Sequence, residues 1–264
     1  MALRIASWNV NSVRQRSGHL QRFLTEAGPD VICLQETKVE DGLFPHDGLD
    51  ELGYRHRIVH GQKSYNGVAI LSRLPFEDQG TRIWCRKDDK RHAWVRLPGS
   101  IELHDFYVPS GGDKPDPEVN DKFDHKLRFL RAMARWCRED KVRERKLVLV
   151  GDLNVAPLET DVWNHKRLVR SVGHTPLESE LMLKLHRAGG FEDVPRRFVP
   201  PDQPLYTWWG YRFPQAFEKD YGWRLDHILA TPPLTASITA MRVAKETRSW
   251  EKPSDHVPVV VDIA

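Results

Sequence analysis

Leu147-Val148-Leu149-Val150-Gly151-Asp152-Leu153-Asn154 is the stretch on which the fold turns. Its first four residues form the most apolar strand of the chain, and Gly151 turns that strand into a polar end carrying Asp152 and Asn154. Short apolar runs with polar ends recur elsewhere. Ser7-Trp8-Asn9-Val10-Asn11 closes a strand over 3–8, Glu36 follows a strand over 31–35, and Asp255-His256 precede the β-branched run from Val257. Layered proteins build their sites where strand ends gather at one edge of a sheet. Carboxylates, amides and one imidazole collected there fit metal-assisted attack on a phosphate.

Working outward, a helix N-capped by Ser12 and stopped at Gly28-Pro29 separates the first two strands. Asn9 and Glu36 thereby fall at corresponding strand ends. Segments 55–60 and 67–72 read as a strand pair around Ser64-Tyr65-Asn66-Gly67, where Asn-Gly favours a tight turn. Segments 93–97 and 101–107 pair across Pro98-Gly99-Ser100. After a loop rich in Pro, Gly and Asp, Phe123, Leu127, Leu130, Ala134 and Cys137 recur at helical spacing, with Lys126, Arg131 and Arg138 off that stripe. A helix over 178–188 ends at Gly189-Gly190. Further strands are expected over 224–230, around 238–243 and over 257–263. No linker divides the chain, so residues 1–264 read as one domain of mixed α/β type. The strand ends Trp8-Asn9-Val10 and Asp152-Leu153-Asn154-Val155 echo one another, and two similar halves packed sheet to sheet would bring them to one rim.

The chain has 264 residues, enough for a substantial core. Its 40 Lys+Arg nearly balance 37 Asp+Glu, for a formal charge of +3, so the placement of charge matters more than its total. Basic residues group at Arg14/Arg16, at Arg86-Lys87 with Lys90-Arg91, over 141–146, and at Lys166-Arg167 with Arg170. Each group alone is an ordinary solvated surface; several around a carboxylate site suit nucleic acid. Three cysteines without a CxxC pair give neither a disulfide framework nor a zinc site. No apolar run is long enough for export or a membrane span, and the expected compartment is the cytoplasm.

Phosphodiester hydrolysis needs a deprotonated water in line with the leaving oxygen and neutralisation of growing negative charge. Asp152 can orient and deprotonate that water, and Asn154 can hydrogen-bond it or the phosphate. Glu36 and Asp255 are hard oxygen ligands suited to Mg2+, with Asn9 adding a neutral oxygen. A charged His256 can donate to a non-bridging phosphate oxygen, with Asp226 holding it. Singly, Glu36 or Asp226 reads as a strand-end ion pair and Asp255-His256 as a turn; all six together, at strand ends, read as a site.

SWNVNSVR from Ser7, DVICLQETK from Asp30, GQKSYNGVAILS from Gly61, FYVPSGGD from Phe106, LVGDLNVAP from Leu149, TWWGYR from Thr207, GWRLDHIL from Gly222 and EKPSDHVPV from Glu251 span the chain. Together they resemble exonuclease III and its relatives, the apurinic/apyrimidinic (AP) endonucleases of base-excision repair, within the endonuclease–exonuclease–phosphatase superfamily. The resemblance implies an α+β fold, a four-layer α/β/β/α sandwich of two packed mixed sheets flanked by helices. It implies Mg2+-dependent cleavage of duplex DNA 5′ to an abasic site, with 3′–5′ exonuclease and 3′-phosphatase activity, by a monomer in which Mn2+ can replace Mg2+. Tyr107 would touch the scissile phosphate and Asp152 would be the general base. Asn154 would orient the nucleophile, and Asp226 would pair with His256. The metal's surroundings would be Asn9, Glu36, Asp152, Asn154, Asp255 and His256. Asn11 and Ser110 would contact substrate, and Trp208, Trp223 and Leu225 would line a pocket for a flipped-out sugar lacking its base. Where the family often carries an amide after the Tyr-x-Pro turn, this chain has Ser110, whose shorter side chain offers one hydrogen bond. Two other readings compete: a phosphoesterase acting on an inositol phosphate or sphingomyelin, and a DNA-binding protein that has lost catalysis. The basic groups and tryptophans weigh against the first, and intact Glu36, Asp152, Asn154 and His256 against the second.

Overall fold

Alternate residues of the first strand, β1 (Leu3–Asn9), enter two different cores. Ile5 packs with Val31, Cys33, Val68 and Ile70, whereas Ala6 and Trp8 pack with Leu20, Phe23 and Leu24 of α1 (Ser17–Ala27). A strand buried on both faces lies between two layers. The computed structural model, which describes residues 2–264, places β1 in a six-stranded sheet with β2 (Val31–Gln35), β3 (His56–His60), β4 (Val68–Ser72), β11 (Ile238–Val243) and β12 (Val259–Ile263). The second sheet holds β5 (Asp78–Thr81), β6 (His92–Leu97), β7 (Ile101–Tyr107), β8 (Leu147–Asp152), β9 (Glu192–Asp193) and β10 (Asp226–Ala230). The outer face of the second sheet is covered by α2 (Asp121–Glu139) and, after the single turn α3 (His165–Leu168), by α4 (Pro176–Gly189). Two short helices, α5 (Val194–Phe198) and α6 (Pro232–Thr235), complete the set. The result is the four-layer sandwich of two mixed sheets that the sequence motifs imply.

The strand orders are β3-β4-β2-β1-β12-β11 and β5-β6-β7-β8-β10-β9. In each sheet the central pair is parallel and all the others are antiparallel. Followed in chain order, β1-α1-β2-β3-β4 recurs as β7-α2-β8-β9-β10 with the same neighbours, so β1 matches β7 and β2 matches β8. The architecture does repeat, but not as the echo of Trp8-Asn9-Val10 with Asp152-Leu153-Asn154-Val155 suggests: the end of β1, Asn9, corresponds to the end of β7, Tyr107, and Gln35 of β2 to Asp152 of β8.

The period of two then builds the site out of the core. Residues sharing the inner face of each strand run Ile5, Ser7, Asn9 in β1; Val31, Cys33, Gln35 in β2; Leu103, Asp105, Tyr107 in β7; and Val148, Val150, Asp152 in β8. Each series starts apolar in the core between the sheets and becomes polar toward one rim. Gly151 permits close approach here: at φ 134°, a Cβ on it would meet the Phe106 carbonyl oxygen at 1.9 Å.

Just below the rim, Gln35 Nε2 donates to Asp105 Oδ1 at 2.7 Å, while Asp105 Oδ2 and Gln35 Oε1 have no partner. Burial pushes the Asp105 carboxyl well above the usual carboxylate range, with Gln35 opposing, so Asp105 is a neutral acid. A raised folded-state pKa means that its contribution to stability is complete below the unfolded value of about 3.9 and is lost as pH rises toward the folded value, at about 1.4 kcal/mol per pH unit. Asp105→Asn keeps shape and donor without the proton. It should be more stable than wild type near neutral pH, by a margin that vanishes at about the unfolded aspartate pKa. Melting both proteins across a pH series checks this; a pH-independent difference would mean that Asp105 does not titrate.

Several local expectations need correction. Ser12 is not the cap of α1: it sits at φ 87° and its N–H donates to Glu36 O, because residues 10–13 continue the parallel pairing past β2, and the helix starts only after Arg16. The Asn66-Gly67 turn closes no tight hairpin. Seven residues separate β3 from β4, and the turn docks instead on Thr37 and Lys38, whose N–H groups donate to Gly67 O and Asn66 O. Lys126 is buried rather than off the apolar face of α2, paired with an equally buried Glu178 of α4. Breaking such a pair by removing one partner costs about 3–5 kcal/mol. The strand expected over 224–230 starts at Asp226, and β5 and β9 were not anticipated.

Candidate active site

At the rim the chain leaves β2 through Glu36, whose φ of 52° is left-handed, a conformation costing an L-residue about 1–2 kcal/mol. That turn aims the Glu36 carboxylate at the end of β1. There Asn9 Nδ2 donates to Glu36 Oε1 at 3.0 Å and to Asp152 Oδ2 at 2.9 Å, joining strand ends of the two sheets. Tyr107 Oη donates to the same Glu36 oxygen at 2.9 Å, and Lys38 Nζ lies 2.7 Å from Oε2. Burial pushes the Glu36 carboxyl up, but Lys38, Asn9 and His256 outweigh it and hold it below its ordinary value. Burial, reinforced by Glu36 and Asp152, pushes the Tyr107 hydroxyl well up, so it is a neutral donor.

Asp152 Oδ1 accepts from Asn154 N at 2.9 Å, and its Oδ2 lies 3.7 Å from His256 Nε2. Burial raises the Asp152 carboxyl, with Asp226 and Glu36 adding to the rise and His256 opposing it; Asp152 is a stronger base than an exposed aspartate. Asp226 sits opposite Asp152 in the β8/β10 register, and its Oδ2 is 2.8 Å from His256 Nδ1. Burial alone would lower the His256 pKa, but Asp226 and then Asp152 raise it to about 10. The imidazole is therefore charged, with Nδ1 fixed by Asp226 and Nε2–H turned toward Asp152. Ser254 Oγ donates to Asn9 O at 2.7 Å and anchors the 254–256 turn on β1.

Glu36, Asp152 and His256 each offer a ligand atom, all within 4.8 Å of one another. Carboxylate oxygens suit a hard cation such as Mg2+, and the Lys38 ammonium already stands against Glu36 where positive charge is favoured. Asp255 borders this group: its Oδ1 accepts from Asn11 Nδ2 at 2.9 Å and its Oδ2 from Trp208 Nε1 at 3.0 Å. Asn154 is held at φ 53° with Nδ2 donating to Val108 O at 2.9 Å. Ser110 is exposed at a cleft of about 440 Å³ shared with Tyr107, Lys87, Arg91 and Lys122.

Trp208 and Trp223 exchange backbone hydrogen bonds at 2.9 Å, with their rings perpendicular and 6.2 Å apart. With Leu225, Ala156 and Val162 they form an apolar cluster separate from the main cores, and the bond from Trp208 to Asp255 joins it to the catalytic rim. Between Trp223 and Leu225, the buried Arg224 side chain pairs with Asp161 and Asp193. Sequence reasoning assigned no role to Arg224, to Lys38 or to Thr207, whose Oγ1 accepts from Leu225 N and Asp226 N. All three lie within the quoted motifs, and their proximity to assigned residues was the available signal.

Residues 6–256 match the Endonuclease/Exonuclease/phosphatase family, and the chain belongs to that family. The exodeoxyribonuclease III of Haemophilus influenzae is 30% identical over 270 aligned residues, covering 97% of this chain and 98% of that protein. Among solved structures, a 3′ phosphatase, NExo, from Neisseria bound to a product DNA hairpin superposes with a TM-score of 0.91 at 32% identity, over 99% of both chains. An AP endonuclease from Archaeoglobus fulgidus gives 0.90 at 35% identity, again over 99% of both. Within the family the chain is an enzyme of the exonuclease III/AP endonuclease branch.

Proposed function

We propose that this enzyme is a divalent-metal-dependent DNA repair nuclease that cleaves duplex DNA 5′ to abasic sites, with 3′–5′ exonuclease and 3′-phosphatase activity on the same centre. The observation that carries this reading is the junction of the Glu36–Asp152–His256 group with the Trp208–Trp223–Leu225 cluster through Asp255. Mg2+, held on Glu36 with Asn9 and Asp152 at its edge, would neutralise phosphate charge. Asp152 takes the proton from water aligned by Asn154. His256, already protonated, donates from Nε2 to a non-bridging oxygen rather than acting through a lone pair, and Tyr107 donates its hydroxyl alongside. Asn11 and Ser110 reach flanking phosphates. A sugar without a base fits against the two indoles, and extruding it costs little because no base is unstacked.

Residues 1–264 act as one domain, as a monomer on DNA in the cytoplasm, in this reading. Among the described residues no helix is long and apolar enough to cross a membrane.

A duplex with one tetrahydrofuran abasic mimic should be nicked on its 5′ side in Mg2+ or Mn2+ and left intact in EDTA. Nicking in EDTA would remove the metal from the reading, and degradation of recessed 3′ ends without any nicking would remove the AP activity. Trp223→Ala should lower cleavage at the mimic roughly ten- to a hundred-fold. Its binding to undamaged duplex should stay near wild type and fall steeply with salt, because neutralised phosphates release counterions. Equal losses on damaged and undamaged DNA would make Trp223 a fold residue instead.

A further inference from the structure

Directly behind the rim lies the buried pair Lys126–Glu178, both side chains fully shielded from solvent. Lys126 Nζ also donates to Asn154 O at 2.6 Å and to Ser110 O at 3.2 Å. An ammonium has three donors, and here each has a partner: Glu178, Asn154 and Ser110. Glu178 in turn accepts from Gly173 N at 2.9 Å, Thr175 N at 3.1 Å and Thr175 Oγ1 at 2.7 Å. Gly173 O receives Ala156 N at 2.7 Å, and a Cβ on Gly173 would meet the Trp223 ring at 3.3 Å. One ion pair therefore ties together the Ser110 loop, the Asn154 turn and the segment behind Trp223.

Stability alone does not account for this arrangement. The α4 capping box needs only Thr175 and Glu178, and although removing one partner of the buried pair is costly, replacing both by uncharged residues of similar volume is often neutral or stabilising. What only the ammonium supplies is a single cation between two backbone carbonyls, one from each loop that faces the substrate.

We propose that Lys126 is a positioning residue for hydrolysis: its ammonium clamps the Asn154 and Ser110 carbonyls and so sets the Asn154 amide against the attacking water. The inference rests on the nuclease reading above and adds a group that never touches the substrate.

The test is the double variant Lys126→Met/Glu178→Gln, which conserves volume, leaves no lone buried charge and keeps an acceptor for Gly173 and Thr175. On the abasic duplex its kcat should fall roughly ten- to a hundred-fold with KM within about twofold, the signature of misplaced reacting groups. Lys126→Gln/Glu178→Gln, which restores an amide donor at 126, should recover part of that kcat. Wild-type kcat in either folded variant would overturn the proposal, as would a raised KM at unchanged kcat. Loss of folding in both would also overturn it, by making the pair a folding element. Wild-type enzyme on the same duplex is the control. If it is inactive on every DNA substrate, the nuclease reading fails; if it is active while the variants match it, only the role of Lys126 fails.

Discussion

Asp152→Asn should reduce single-turnover cleavage of the abasic duplex by roughly 100- to 10,000-fold, the range for loss of a general base. The side-chain oxygen that accepts from Asn154 N survives the change, so the turn that presents Asn154 is kept. The oxygen facing Asn9 and His256 becomes an amide and can no longer take a proton. Affinity for DNA should hold or rise, because a negative charge beside the phosphate is gone. Stability near neutral pH should not fall, since burial already disfavours the ionised carboxylate. Rapid-quench rates, binding in EDTA and thermal melts separate these effects. A rate within tenfold of wild type, with binding unchanged, would take the base role from Asp152.

Much of this site was legible because strand periodicity is short-ranged. The inner-face run Val148, Val150, Asp152 is visible in eight residues of sequence, and so is Ile5, Ser7, Asn9. That Asn9 would bridge Glu36 and Asp152 was not legible: the bridge depends on packing one sheet on the other, and β1 pairs with β12 from the far end of the chain. Lys126 shows a different limit. Read from the sequence, it lies off the apolar stripe, although it stands three residues after Phe123 and four before Leu130, a spacing that borders the stripe. Only its charge argued for solvent, and its partner Glu178 lies on another helix. β5 escaped notice because Asp78–Thr81 is an exposed edge strand with no apolar alternation to read. The bond from Trp208 to Asp255 was equally invisible, and it holds Asp255 at the border of the Glu36–Asp152–His256 group.

The His256–Asp226 pair yields the other large effect. His256→Ala removes the charged donor and should lower turnover by about 100-fold or more, in the range of a lost oxyanion donor. Asp226→Asn should approach that loss although it touches no substrate. Asp226 is the largest influence raising the His256 pKa to about 10, with Asp152 next, while burial pulls the other way. Without Asp226, burial gains ground and the imidazole loses its proton at lower pH. When the amide oxygen accepts from Nδ1–H, the neutral imidazole keeps its one proton on Nδ1 and leaves Nε2 bare toward the phosphate. The sign follows: wild-type activity should persist through neutral pH and fade as pH rises toward about 10, whereas the Asp226→Asn variant should fade at lower pH and recover some activity in acid. The double variant should be no slower than His256→Ala alone, because Asp226 acts through His256. Fully multiplicative losses, or a basic limb that Asp226→Asn leaves in place, would show that the two carboxylates and the imidazole do not work as one unit.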